Sequence, residues 1–172
     1  MLAELSNKSI VTKELFQARL ILGDARQTIQ KIVREGWQAN AIFLDPFSPP
    51  KCPQLWTVEF IALVAQCLAP TGRLATYSCA AAVRTALLEA GLNLGSITGA
   101  GRKSPGTLAA FEYKSLPALS TREREHLQTS AAVPYRDRTL QAKPEEIIDN
   151  RQQEQQASKM KSTSQWRKRW LR

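Results

Sequence analysis

Histidine is almost absent from this 172-residue chain, which holds one, His126, and only three cysteines, Cys52, Cys67 and Cys79. The thiols do not fall at metal-ligand spacing and His126 stands apart from them, so a Cys/His metal site is not expected. An odd number of scattered cysteines also argues against a disulfide framework and for reduced thiols in a cytoplasmic protein. No apolar run approaches the roughly 20 residues that a membrane span needs. Residues 1–13 carry early charges and lack the apolar stretch and small-residue cleavage site of a secretory leader. Acidic residues are scarce beside basic ones, 15 against 24, which leaves a formal net charge of +9. Such a balance favours an anionic partner, nucleic acid being the commonest, with a merely solvated basic surface as the alternative.

What is present is an alternation of apolar runs and helical patterns. Residues 18–22 (ARLIL) read as a short buried strand ending at Gly23-Asp24, and residues 39–44 as a second ending at Asp45-Pro46. Residues 73–77 read as a third. Helices are expected over 25–35, 54–68 and 80–90, the first stopped by Gly36 and the last by Gly91. Residues 92–98 and 107–113 read as two strands joined by GAGRKSPG in a hairpin-like connection. This is an α/β pattern with a mainly parallel sheet and a C-terminal antiparallel hairpin. Ligands of such sheets bind at the carboxyl ends of the strands, where Asp24, Asp45, Tyr77 and Ser78 fall.

The segment DPFSPPKCPQLW, residues 45–56, is the sharpest chemical feature. A strand delivers Asp45 to the sheet's end, Pro46 removes a backbone donor and bends the chain, and Phe47 follows on a proline-rich loop. An amine attacks a methyl donor only with its lone pair free, so an acceptor that orients it and helps remove its proton is useful there. The transfer itself then needs mainly alignment. Equally, Asp45 can be a structural cap with prolines shaping a loop. Asp24 in GDAR can accept from an adenine amino group or simply cap the next helix. Arg102 and Lys103, on the loop between the last two strands, suit phosphate contact or a polar turn. The end of the chain, WRKRW, interleaves Trp166 and Trp170 with Arg167, Lys168 and Arg169. That composition suits stacking and phosphate contact on RNA; alternatively the two indoles, at i and i+4, pin a last helix to the body.

In this order, GDAR, AIFLDPFSPPKCPQLWTVEF, GRLATYSCAAAVRTALLEAGL and GAGRKSPGT resemble the MnmC-like methyltransferase family, over residues 18–113. The resemblance implies a Rossmann-like class I fold and S-adenosyl-L-methionine as cofactor. It implies the wobble uridine of certain tRNAs as substrate, methylated from 5-aminomethyl-2-thiouridine to the 5-methylaminomethyl form. It also implies a supporting FAD-dependent oxidoreductase, here expected as a separate partner. By position in the motif, Asp45 would orient the amine and lie near the cofactor, Pro46 and Phe47 would shape the target pocket, and Asp24 would lie at the adenine end of the cofactor. Arg102, Lys103, Arg167, Lys168 and Arg169 are the expected RNA contacts.

Two regions are expected: residues 1–117 as a partial methyltransferase domain, and residues 118–172 as a polar, basic extension. The family's glycine-rich first strand and acidic second strand should precede residue 18, yet residues 1–17 contain no glycine and read as the end of a helix. The expectation is therefore a partial fold lacking its first two strands and inactive by itself. Two alternatives stand beside it: a non-catalytic RNA-binding remnant, and a methyltransferase for another amine such as adenine.

Overall fold

A computed structural model describes residues 2–98 and 104–170. The chain starts with a short helix, α1 (Leu2–Lys8), and a ribbon of β1 (Ile10–Lys13) against β2 (Phe16–Arg19), antiparallel, with Ile10 opposite Arg19 and Lys13 opposite Phe16. The strand expected over residues 18–22 is therefore displaced. Pairing with β1 takes residues 16–19, and the apolar residues beyond have no sheet to enter, so Leu22 remains 74% exposed. Residues 2–17 likewise are not one helix end but α1, the first arm of the ribbon, its turn and the start of the second arm.

The main body follows the expected alternation. Helix α2 (Ala25–Arg34) leads to β3 (Ala39–Phe43), a 3-10 turn at Pro53–Leu55 to α3 (Val58–Gln66), then β4 (Leu68–Thr76), α4 (Ala81–Glu89), β5 (Asn93–Ile97) and β6 (Gly106–Ala110). Caps fix the helix starts: Asp24 accepts from the Arg26 backbone at 2.9 Å, and Thr57 accepts from Phe60 at 3.2 Å. The sheet order is β3-β4-β6-β5. Only β3 and β4 pair in parallel, through the α3 crossover; β6 runs against both β4 and β5. The sheet is thus mixed rather than mainly parallel: only eight residues lie between β5 and β6, too few for the crossover that a parallel pair needs. Gly106 opens β6 where a side chain would not fit, since an added Cβ would lie 2.9 Å from the Thr76 carbonyl oxygen.

The core lies between the sheet and helices α3 and α4. Trp56, Ile61, Leu74, Val83 and Leu87 are fully buried there, each side chain contributing about 1.5–3 kcal/mol of burial. The polar segment after residue 117 does not stand off from this body. It forms α5 (Thr121–His126), α6 (Pro144–Ala157) and α7 (Thr163–Trp170), and places Tyr135 and Ile147 in the same core. Val58 donates to the Tyr135 carbonyl at 3.0 Å, and Arg151 lies over the Tyr135 ring while donating to the Val133 and Ala131 carbonyls. On the opposite side, β3 is the sheet's edge, with no outer partner among the described residues, and Phe43 is 84% exposed on it.

Candidate active site

The carboxyl end of β3 and the end of β4 build one cavity together. Leu44 continues the pairing by donating to the Ala75 carbonyl at 2.9 Å. Asp45, Pro46 and Phe47 then leave the sheet, and a turn closed by Ser48, whose carbonyl accepts from Lys51 at 2.8 Å and Cys52 at 3.0 Å, brings the chain back. Two aromatic side chains brace the departing loop. Tyr77 donates its hydroxyl to the Pro46 carbonyl at 3.0 Å, and Trp56 donates its indole N–H to the Phe47 carbonyl at 2.7 Å. The two rings meet edge to face at 6.1 Å. With its carbonyls held, the loop presents Asp45 and Phe47 to a cavity of about 610 Å³, with Cys52, Leu55 and Tyr77 in its walls. Among the described residues no hydrogen bond or ion pair engages the Asp45 carboxylate. Phe47 is 79% exposed.

Asp24 sits differently. It caps α2, and Arg26 grips its carboxylate through Nε and Nη2, the latter at 2.8 Å. This contact holds the Asp24 carboxyl below its ordinary pKa. The same guanidinium reaches Asp137 at 2.9 Å and the Ala142 carbonyl at 3.0 Å, so it ties α2 to the C-terminal segment. Burial raises the Cys52 thiol, and the charges of Arg26 and Asp24 act on it as well. The Asp45 cavity, with an unengaged carboxylate and largely apolar walls, suits a ligand carrying positive charge on an apolar body, as a sulfonium cofactor does.

The predicted RNA contacts are divided. Arg102 and Lys103 lie outside the described residues. Arg167, Lys168 and Arg169 stand on α7, where Arg169 pairs with Glu125 at 3.3 Å and lies over Trp170. The flanking indoles hold that helix to α5: Trp166 donates to the Arg122 carbonyl at 3.1 Å, Trp170 to the Glu125 carboxylate at 2.7 Å, and Trp166 stacks on His126 at 4.1 Å. Sequence reasoning did not find Arg84. Buried to 2% exposure, it donates to Thr107 at 2.9 Å and pairs with Glu123 at 2.7 Å, tying α4, β6 and α5 together. Nothing local marks an arginine inside an alanine-rich helix for that role.

A mixed α/β sheet with a braced acid–proline–aromatic loop at a strand's carboxyl end defines a methyltransferase-like architecture. Residues 2–112 match the family of S-adenosyl-L-methionine-dependent methyltransferases, and the chain belongs to that family. Its cofactor is S-adenosyl-L-methionine, and it is MnmC-like. It is similar to the solved MNMC2 of Aquifex aeolicus, with a TM-score of 0.82 and 32% identity, over 91% of this chain and 51% of that one. It is 40% identical over 92 residues to the tRNA 5-methylaminomethyl-2-thiouridine biosynthesis bifunctional protein MnmC of Ralstonia nicotianae, over 54% of this chain and 14% of that protein. It is 33% identical over 144 residues to an uncharacterized protein of Methanocaldococcus jannaschii, over 83% of this chain and 40% of the other. The chain thus spans about half or less of the length of these relatives.

Proposed function

We propose that the chain methylates the amine of 5-aminomethyl-2-thiouridine at the tRNA wobble position, giving the 5-methylaminomethyl form. The observation that carries this reading is the Asp45 carboxylate, engaged by no described group and set beside the exposed Phe47 ring on a loop braced by Tyr77 and Trp56. The cofactor, when bound, supplies an electrophilic methyl on a sulfonium. The chain's own part is to hold the nucleophile. Phe47 offers a flat apolar face to the base. Asp45 accepts a hydrogen bond from the amine, keeps its lone pair aimed, and takes the proton that must leave as the N–C bond forms and the S–C bond breaks. Asp24, by its place in the GDAR motif, is assigned to the adenine end of the cofactor. Arg167, Lys168 and Arg169 on α7 are assigned to the RNA backbone, and so are Arg102 and Lys103. A separate FAD-dependent oxidoreductase that prepares the amine and a cytoplasmic site of action belong to the same reading.

Transfer of labelled methyl from S-adenosyl-L-methionine to tRNA carrying the 5-aminomethyl group, with the product nucleoside identified by mass spectrometry, tests it. Product at that nucleoside supports the reading; label on adenine instead assigns another amine. One observation favours a second reading, RNA binding without catalysis: the outer edge of β3 is unpaired among the described residues, so the sheet is open on that side. Titration calorimetry with the cofactor separates the two. One-to-one binding favours the enzyme, and no heat of binding favours the second reading.

A further inference from the structure

Tyr77 lines two cavities. Beyond the one at Asp45 lies another of about 500 Å³, walled by the β4–α4 turn at Cys79 and Ala80 on one side and by Arg122, His126 and Trp166 on the other. Its size falls within the roughly 300–1,000 Å³ of small-ligand sites. The wall made by α5 and α7 is aromatic, the His126 and Trp166 rings stacked on each other with centroids 4.1 Å apart. Burial, with the charges of Arg84, Arg167 and Arg122 adding to it, pushes the His126 pKa below its ordinary value, so this aromatic wall is uncharged at neutral pH. Of the acidic and basic groups facing it, Glu123 is already neutralised by Arg84 at 2.7 Å. The Arg122 guanidinium, 5.5 Å from the centre of the Trp166 ring, has no carboxylate partner among the described residues. The balance at the mouth of the cavity is therefore cationic, and the inside is aromatic and small-residue. Those features fit one nucleotide: a base beside aromatic rings, and a phosphate beside a guanidinium that no carboxylate neutralises.

We propose that this second cavity is a nucleotide subsite, receiving the residue of the RNA strand next to the one whose base enters the Asp45 cavity, with Arg122 on its phosphate. The inference rests on the tRNA reading and adds to it the path of the strand across the protein. Tyr77 is the partition between the two positions, so the strand must turn over its ring, and the target base is held apart from its neighbour.

The test is filter binding of a short RNA hairpin with a uridine-containing loop to the whole chain over a range of salt, for the wild type, Arg122→Glu and Arg34→Glu. Arg34 is exposed on α2 and lines neither cavity, and both variants change the net charge equally. Arg122→Glu is expected to weaken binding about tenfold or more and to flatten the salt dependence by about one unit of slope, while Arg34→Glu changes both far less. A second measurement places 4-thiouridine in the loop and maps its photo-crosslinks, expected in residues 77–80 or on α5 and α7. Equal losses in the two variants, or crosslinks confined elsewhere, overturn the subsite and leave the tRNA reading standing. A wild-type chain that binds no RNA overturns both.

Discussion

The hydroxyl of Tyr77 donates to the carbonyl of Pro46 at 3.0 Å, thirty-one residues away, so the end of β4 fixes the loop that leaves β3. A carbonyl held in this way cannot swing with the loop, and Asp45 precedes it directly.

Removing that donor is expected to disturb positioning more than folding. Tyr77→Phe keeps the ring and its edge contact with Trp56 and should cost about 0.5–1.5 kcal/mol of stability, the net worth of one hydrogen bond. Methyl transfer should fall about tenfold through turnover, with cofactor affinity nearly unchanged. Steady-state kinetics beside urea unfolding decide it; an unaltered turnover would show that the brace does not position the loop.

Asp45→Ala should separate binding from chemistry. If the carboxylate orients and deprotonates the amine, turnover drops by about 10²–10⁴-fold while cofactor binding by calorimetry changes little. Equal losses of both would make Asp45 a structural residue.

Glu123 makes stability depend on acid. Burial alone would raise its pKa, but the Ser120 backbone and hydroxyl, the Ser96 hydroxyl and the Arg84 guanidinium bring it to about 2, from an ordinary 4.5. A carboxyl lowered in the folded state stabilises fully above its unfolded pKa and stops doing so as the pH falls through the folded one. The contribution is on the order of 3 kcal/mol, present above about pH 4.5 and lost toward pH 2. Thermal melts of the wild type and Glu123→Gln should therefore converge as the pH falls across that window. A gap that stays constant with pH would contradict this origin.

The last helix is held by indole N–H groups. Trp170→Phe removes the donation to Glu125 while keeping an aromatic ring, and should destabilise by about 1.5 kcal/mol, as for a hydrogen bond to a charged acceptor. Hydrogen exchange should quicken in α7 first. Uniform quickening across the chain would mean that α7 is not the weak point.

The sites legible in the sequence were those made by neighbours in the chain. Asp45-Pro46-Phe47 announces itself because an apolar strand ends there and prolines follow, and α2 through β6 alternate as their patterns predict. Residues 18–22 misled because an apolar run looks the same whether a sheet is beside it or not; the partner of β2, β1, lies in a segment that reads as the end of a helix, despite its three β-branched residues Ile10, Val11 and Thr12. Contacts between distant residues had no local mark. Arg26 and Asp137 are 111 positions apart, and Arg84 meets Glu123 across the β5–β6 hairpin. The pinning of α7 was one of two readings of the tryptophans of WRKRW, and their indole partners on α5 had no local mark.

The chain has four tryptophans, and the placement of two of them has an optical consequence. Trp56 meets the edge of Tyr77, a wall of the first cavity, and Trp166 lies flat on His126 at the second. Indole emission responds to the polarity of its surroundings and to neighbouring rings. Occupancy of each cavity is thus written into the intrinsic light of the unmodified protein, and replacing one indole at a time by phenylalanine would tell which cavity has filled.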